Sequence, residues 1–173
     1  MAAGSTYTPI ATQTLGSDAS TVTFSSISGS YTDLILVINT RSSSTAASDT
    51  KLYVQFNGDT ATNYSYTFLV GNGTSASSSR GSSQNQIYAA DVSATGGSSY
   101  AGLSTVTLQI QNYSNTTTYK TMLSRVASAN VFVEAVVGLW RSTAAITSIV
   151  LDLESTPQFI TGSTFTLYGI AAA

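Results

Sequence analysis

The chain of 173 residues contains no cysteine, no histidine, only two prolines, and only 8% charged side chains. Without thiols it can form no disulfide, thiolate nucleophile or zinc–sulfur site. Without imidazole it loses the commonest general base and metal ligand, so neither a Ser-His-Asp triad nor a Cys-His pair can be built. Six basic side chains face eight acidic ones, for a net charge of −2, and Arg41, Arg80, Arg125 and Arg141 are scattered rather than clustered. Nucleic acid demands a basic face and anionic membranes attract basic clusters, so neither is an expected partner. No apolar run approaches the ~18 to 20 residues of a membrane span. The longest, residues 131–139, is interrupted by Glu134. Met1-Ala2-Ala3-Gly4-Ser5 shows neither the basic nor the apolar region of a secretory signal, and none is expected.

Hydroxyls supply the polarity that charge does not, with 29 Ser and 27 Thr. Disorder pairs low hydrophobicity with high net charge. A chain that is 42% hydrophobic with a net charge of −2 is expected to fold, and its length suits one domain over 1–173.

Glu, Lys and Arg are rare while β-branched residues and Tyr abound, so helix signals are weak. Short alternating runs separated by Gly, Asn, Ser and Thr predict strands instead. Val22 and Phe24 alternate with threonines, as do Val106 and Leu108. Leu52, Val54 and Phe56 share one side, and so do Ile149, Leu151 and Leu153. DLILVINT (33–40) and residues 131–139 read as apolar on both faces, which suits central strands. Asn57-Gly58 is a tight-turn signal, with 64–70 as the expected hairpin partner. Residues 71–86, GNGTSASSSRGSSQNQ, read as an exposed Ser/Gly-rich loop, and residues 1–6 as an N-terminal extension. The expectation is an all-β domain, an antiparallel sandwich or barrel of about 8–10 strands.

Three segments resemble a recurring pattern in virion proteins of tailed bacteriophages: TFSSISGSYTDLILVI (23–38), LYVQFNGDTATNYSYTFLVGNGTSASSSR (52–80) and GLWRSTAAITSIVLDLESTPQFITGSTFTLYGI (138–170). With YTPIATQTL at the start, the resemblance covers most of the chain. It implies a jelly-roll sandwich on the virion surface, commonly a homotrimer, bound to other virion proteins such as the major capsid protein or tail proteins. It brings no catalytic residue and no cofactor. The expected role is non-enzymatic capsid decoration or cementing. The alternative is a tail or fibre module that binds a host surface glycan. FTLYGI at the end is expected to pair with the opening YTPIATQTL.

Carboxylates are the remaining route to acid–base chemistry. Asp152 and Glu154 share one side of a strand and read as a solvated face. Glu134, in VFVEAVVGL, is expected to be buried and therefore needs a partner. Arg125 and Arg141 are the candidates for a structural ion pair, within one subunit or between two. Asn57, Asp59 and Asn63 place oxygen donors around one turn, as a calcium site or as ordinary turn bonding. Tyr64, Tyr66, Tyr113 and Tyr119 are candidates for a sugar-stacking platform, against the simpler reading of rings packed on sheet faces. Trp140, Tyr64, Tyr66 and Tyr113 are the expected interface anchors.

Overall fold

The computed structural model describes residues 6–45, 49–96, 102–128 and 132–171. The expected extension over 1–6 lies outside these residues except for Thr6. The described chain is all β: β1 (Tyr7–Thr14), β2 (Thr21–Phe24), β3 (Asp33–Thr40), β4 (Asp49–Phe56), β5 (Tyr64–Gly71), β6 (Ala76–Gln84), β7 (Ile87–Ser93), β8 (Ser104–Ile110), β9 (Lys120–Ser128), β10 (Phe132–Trp140), β11 (Ile149–Leu153) and β12 (Thr164–Ile170). Every strand pairing among them is antiparallel. An eight-stranded sheet runs β1-β12-β3-β8-β9-β10-β5-β6, and a four-stranded sheet runs β2-β11-β4-β7.

The order contains a jelly roll. The pairs β1·β12, β2·β11, β3·β8 and β4·β7 nest like a long hairpin folded over on itself, which is the double Greek key of that architecture. Two hairpins are inserted into it. β5–β6 follows β4, β9–β10 follows β8, and together they extend the larger sheet beyond β8. The terminal strands pair as their sequences suggest, from Tyr7 opposite Ile170 to Thr14 opposite Thr164.

Alternation builds the core. Leu34, Leu36 and Ile38 of β3 and Val106, Leu108 and Ile110 of β8 are buried. Across the interior lie buried Leu52, Val54 and Phe56 of β4 and Ile149, Leu151 and Leu153 of β11. Fully burying each such side chain contributes roughly 1.5–3 kcal/mol. The two sheets approach closely where β10 crosses β7: a Cβ at Gly138 would meet Ile87 Cγ2 at 2.6 Å.

Four expectations are corrected. Twelve strands replace about 8–10. The segment 71–86 is not a loop, because it holds the edge strand β6, paired along β5. Asn57 and Gly58 do form a tight turn, both at positive φ, with Asp59 N–H bonded to Phe56 O. That turn joins different sheets, however: β4 pairs with β11 and β7, and β5 with β10 and β6. Finally, β10 is buried on one side only, with Val133, Ala135 and Val137 exposed.

Candidate functional site

Strand parity decides which way the expected site residues point. On β10 the inward positions are Glu134, Val136, Gly138 and Trp140. Glu134 is 2% exposed, and its carboxylate reaches the edge strand of the opposite sheet. Tyr88 donates its hydroxyl to Oε1 at 2.5 Å, and the Asp91 backbone N–H donates to Oε2 at 2.9 Å. An edge strand leaves backbone N–H groups unpaired, and here a buried carboxylate takes up one of them.

The expected ion pair is therefore corrected. Arg125 lies opposite Ala135, on the outer face, whereas Glu134 lies opposite Val126 and faces the interior. Arg141 binds Ser65 Oγ at 3.2 Å and the carbonyl of Thr62 at 2.8 Å. Both oxygens of Glu134 are occupied by neutral donors instead.

A second acid stands beside this contact. Burial first, then the negative charges of Glu134 and Asp49, push the Asp91 carboxyl up to about 7. Burial also raises Glu134, opposed by the bonds it accepts from Tyr88 and Asp91. The cluster holds a proton at mildly acidic pH, while Glu134 and Tyr88 are closed to solvent. Tyr88, Asp91 and Asp49 carry no signal in the sequence, because only the register of β7 under β10 brings them to Glu134.

The turn donors are used internally. Asp59 accepts from Ala61 N, Asn63 Nδ2 and Trp140 Nε1, at 2.9, 3.0 and 2.8 Å. The Asn63 and Trp140 bonds hold its carboxyl below the usual carboxylate range. Asn57 Oδ1 accepts from Thr147 N and Ser148 N, pinning the approach to β11. Among the described residues no group of three or more Asp and Glu side chains is placed to hold a metal.

The expected anchors are also reassigned. Trp140, Tyr64 and Tyr113 are buried, and Tyr66 is half-buried against Tyr88. Tyr64 stacks on Trp140, 6.2 Å between ring centroids, and its hydroxyl accepts from Phe56 N. Tyr113 donates to Ser28 O. These are core contacts, and of the four candidate stacking tyrosines Tyr119 alone is well exposed. Asp152 and Glu154 diverge as well. Glu154 pairs with Lys51 at 2.8 Å, whereas one Asp152 oxygen is buried without a partner and burial raises its carboxyl. Lys120, for which the sequence gives no signal, is buried and donates to the carbonyls of Thr118 and Thr143.

What the structure leaves open is a surface. Leu69 (57% exposed), Leu123 (45%), Val133 (64%) and Val137 (51%) lie on the outer face of the adjacent strands β5, β9 and β10. Val137 is opposite Leu123, and Ala135 is opposite Leu69. Leu69, Leu123, Ala135 and Val137 line a shallow groove of about 610 Å³ flanked by Arg125, Gln109, Thr107 and Ser78. No protein-family model matches this chain, and no curated protein matches it.

Proposed function

We propose that this chain is a non-enzymatic structural protein of a bacteriophage particle, a homotrimeric decoration or cement protein on the capsid exterior. The observation that carries the reading is the exposed apolar stripe on a sheet that two added hairpins widen beyond a jelly roll. Contiguous exposed apolar patches on a folded protein mark interaction sites. The jelly-roll order supports the same reading, being the architecture of many capsid domains. So does a surface poor in charge, since charge is what keeps copies apart in solution. The likeness of residues 23–38, 52–80 and 138–170 to virion proteins of tailed phages supplies the particle.

The test compares particles assembled with and without the protein, heated in steps. The reading expects both to assemble, and those without it to release their contents at a lower temperature. Equal heat stability with lost adsorption to host cells overturns the capsid role in favour of a tail module.

A further inference from the structure

We infer that the outer face of the eight-stranded sheet, centred on Leu69, Leu123, Val133, Ala135 and Val137, is where a second copy of this chain seats. The inference rests on the oligomer in the function proposed above and names the surface that builds it.

Area comes first. Strands lie ~4.8 Å apart and rise ~3.4 Å per residue, so eight strands of about eight residues present a face of roughly 38 by 27 Å, or ~1,000 Å². A standard stable interface takes about 800 Å² from each partner. A closed trimer sets each copy against two neighbours through different patches, so this face gives each neighbour about 500 Å², and each pair buries ~1,000 Å², the lower bound for a specific interface.

Composition comes second. Protein interfaces have an apolar centre depleted in Lys, Asp and Glu but tolerant of Arg, within a polar rim. The stripe on β5, β9 and β10 is apolar. Arg125 stands within it, Arg80 stands beside it on β6, and the outer positions of these four strands hold no carboxylate and no Lys. Next to it Thr107 and Gln109 on β8 form a neutral polar border, and beyond them the outer positions of β3 are Asp33, Ile35, Val37 and Asn39. Two copies meeting on β5, β6, β9 and β10 desolvate no acid, Asp33 at the far end of β3 accepts from Asn112 N, and a net charge of −2 per chain adds little repulsion.

Position comes third. The four strands carrying the stripe and its outer border are those added to the jelly roll. Their inner side is already occupied: Phe68 and Tyr66 pack on Tyr88, and Glu134 binds β7. The outer side has no such cover among the described residues. A sugar is a poorer fit than a second copy, since no aromatic ring stands on the outer side of β5, β9 or β10.

The experiment uses the full chain. Sedimentation at micromolar concentration is expected to show an oligomer for the wild type and a monomer for Leu69→Asp/Val137→Asp, with an unchanged circular dichroism spectrum. The chain has no cysteine, so Val137→Cys and Thr23→Cys each carry a single thiol, the second on the exposed outer side of β2. A short bis-maleimide is expected to link Val137→Cys chains and to leave Thr23→Cys chains unlinked, which decides the matter if the double variant fails to fold. A wild-type monomer overturns the inference. An oligomer that survives the double substitution, or cross-linking of the Thr23→Cys variant alone, overturns this surface while leaving the oligomer intact. The particle-heating series judges the structural role separately.

Discussion

The hydroxyl of Tyr88 lies 2.5 Å from Oε1 of Glu134, joining the edge strand of the smaller sheet to a middle strand of the larger one. The same carboxylate holds the Asp91 N–H. Glu134→Ala leaves the Asp91 backbone N–H without an acceptor, at ~1–3 kcal/mol, while the Tyr88 hydroxyl keeps the Asp91 carboxyl as its other partner. Relief of the repulsion with Asp91 offsets part of this, so a net loss of about 1–2 kcal/mol is expected. Glu134→Gln keeps an acceptor carbonyl and is expected to lose less than half as much. Urea midpoints at constant m-value measure both.

The cluster also sets a pH dependence. Asp91 titrates at about 7 in the folded chain, against ~3.9 for an ordinary aspartate. The folded state therefore binds more protons than the unfolded state between those values, and stability falls as pH rises through that window, levelling off above it. One extra bound proton corresponds to about 1.4 kcal/mol per pH unit. Urea midpoints are expected to decline from pH 5 to pH 8 in the wild type. Asp91→Asn is expected to flatten that decline and to be the more stable protein at pH 8.

Asp59 works with the opposite sign. Its carboxyl is held low by Asn63 and Trp140, so its contribution is present above the ordinary carboxylate range and is lost as pH falls through the lowered value. Asp59→Ala removes the acceptor for three N–H donors. A cost of about 1–3 kcal/mol is expected, because part of the turn is open to water. Trp140 fluorescence is expected to shift to the red as the indole loses its fixed partner.

Gly138→Ala tests the close approach of β10 and β7. The new methyl meets Ile87 Cγ2, and overpacking of this kind costs about 1–3 kcal/mol. Ile87→Ala makes room. The double variant is expected to be less destabilised than the sum of the singles, and thermal melts of all four proteins close the cycle.

Most strands are legible in the sequence because one side of each is buried and the other solvated, as in Val22/Phe24 or Ile149/Leu151/Leu153. β6 is not: seven of its nine residues are exposed, so it carries no apolar alternation and is held by its backbone ladder to β5. Asn57-Gly58 announces its turn correctly, but dihedral preference is local and cannot say which sheet the chain enters next. The burial of Glu134 is readable from its apolar neighbours. Its partner is not, since pairing Glu134 with Val126 rather than Arg125 is a matter of register. Trp140, Tyr64 and Tyr113 read as interface anchors by residue type, yet their polar tips find partners inside the domain.

The nesting of first strand against last governs how this chain can be made. β3 has β12 as one of its two neighbours, and among the described strands β2 pairs only with β11. A ribosome releasing the chain from its N-terminus therefore exposes Leu34, Leu36 and Ile38 beside an unpaired edge until the segment 164–170 has emerged. Folding that depends on such distant pairings is slow and prone to aggregation while incomplete. Translation arrested before residue 164 is expected to yield nascent chains that bind holding chaperones, and release after β12 to let them go.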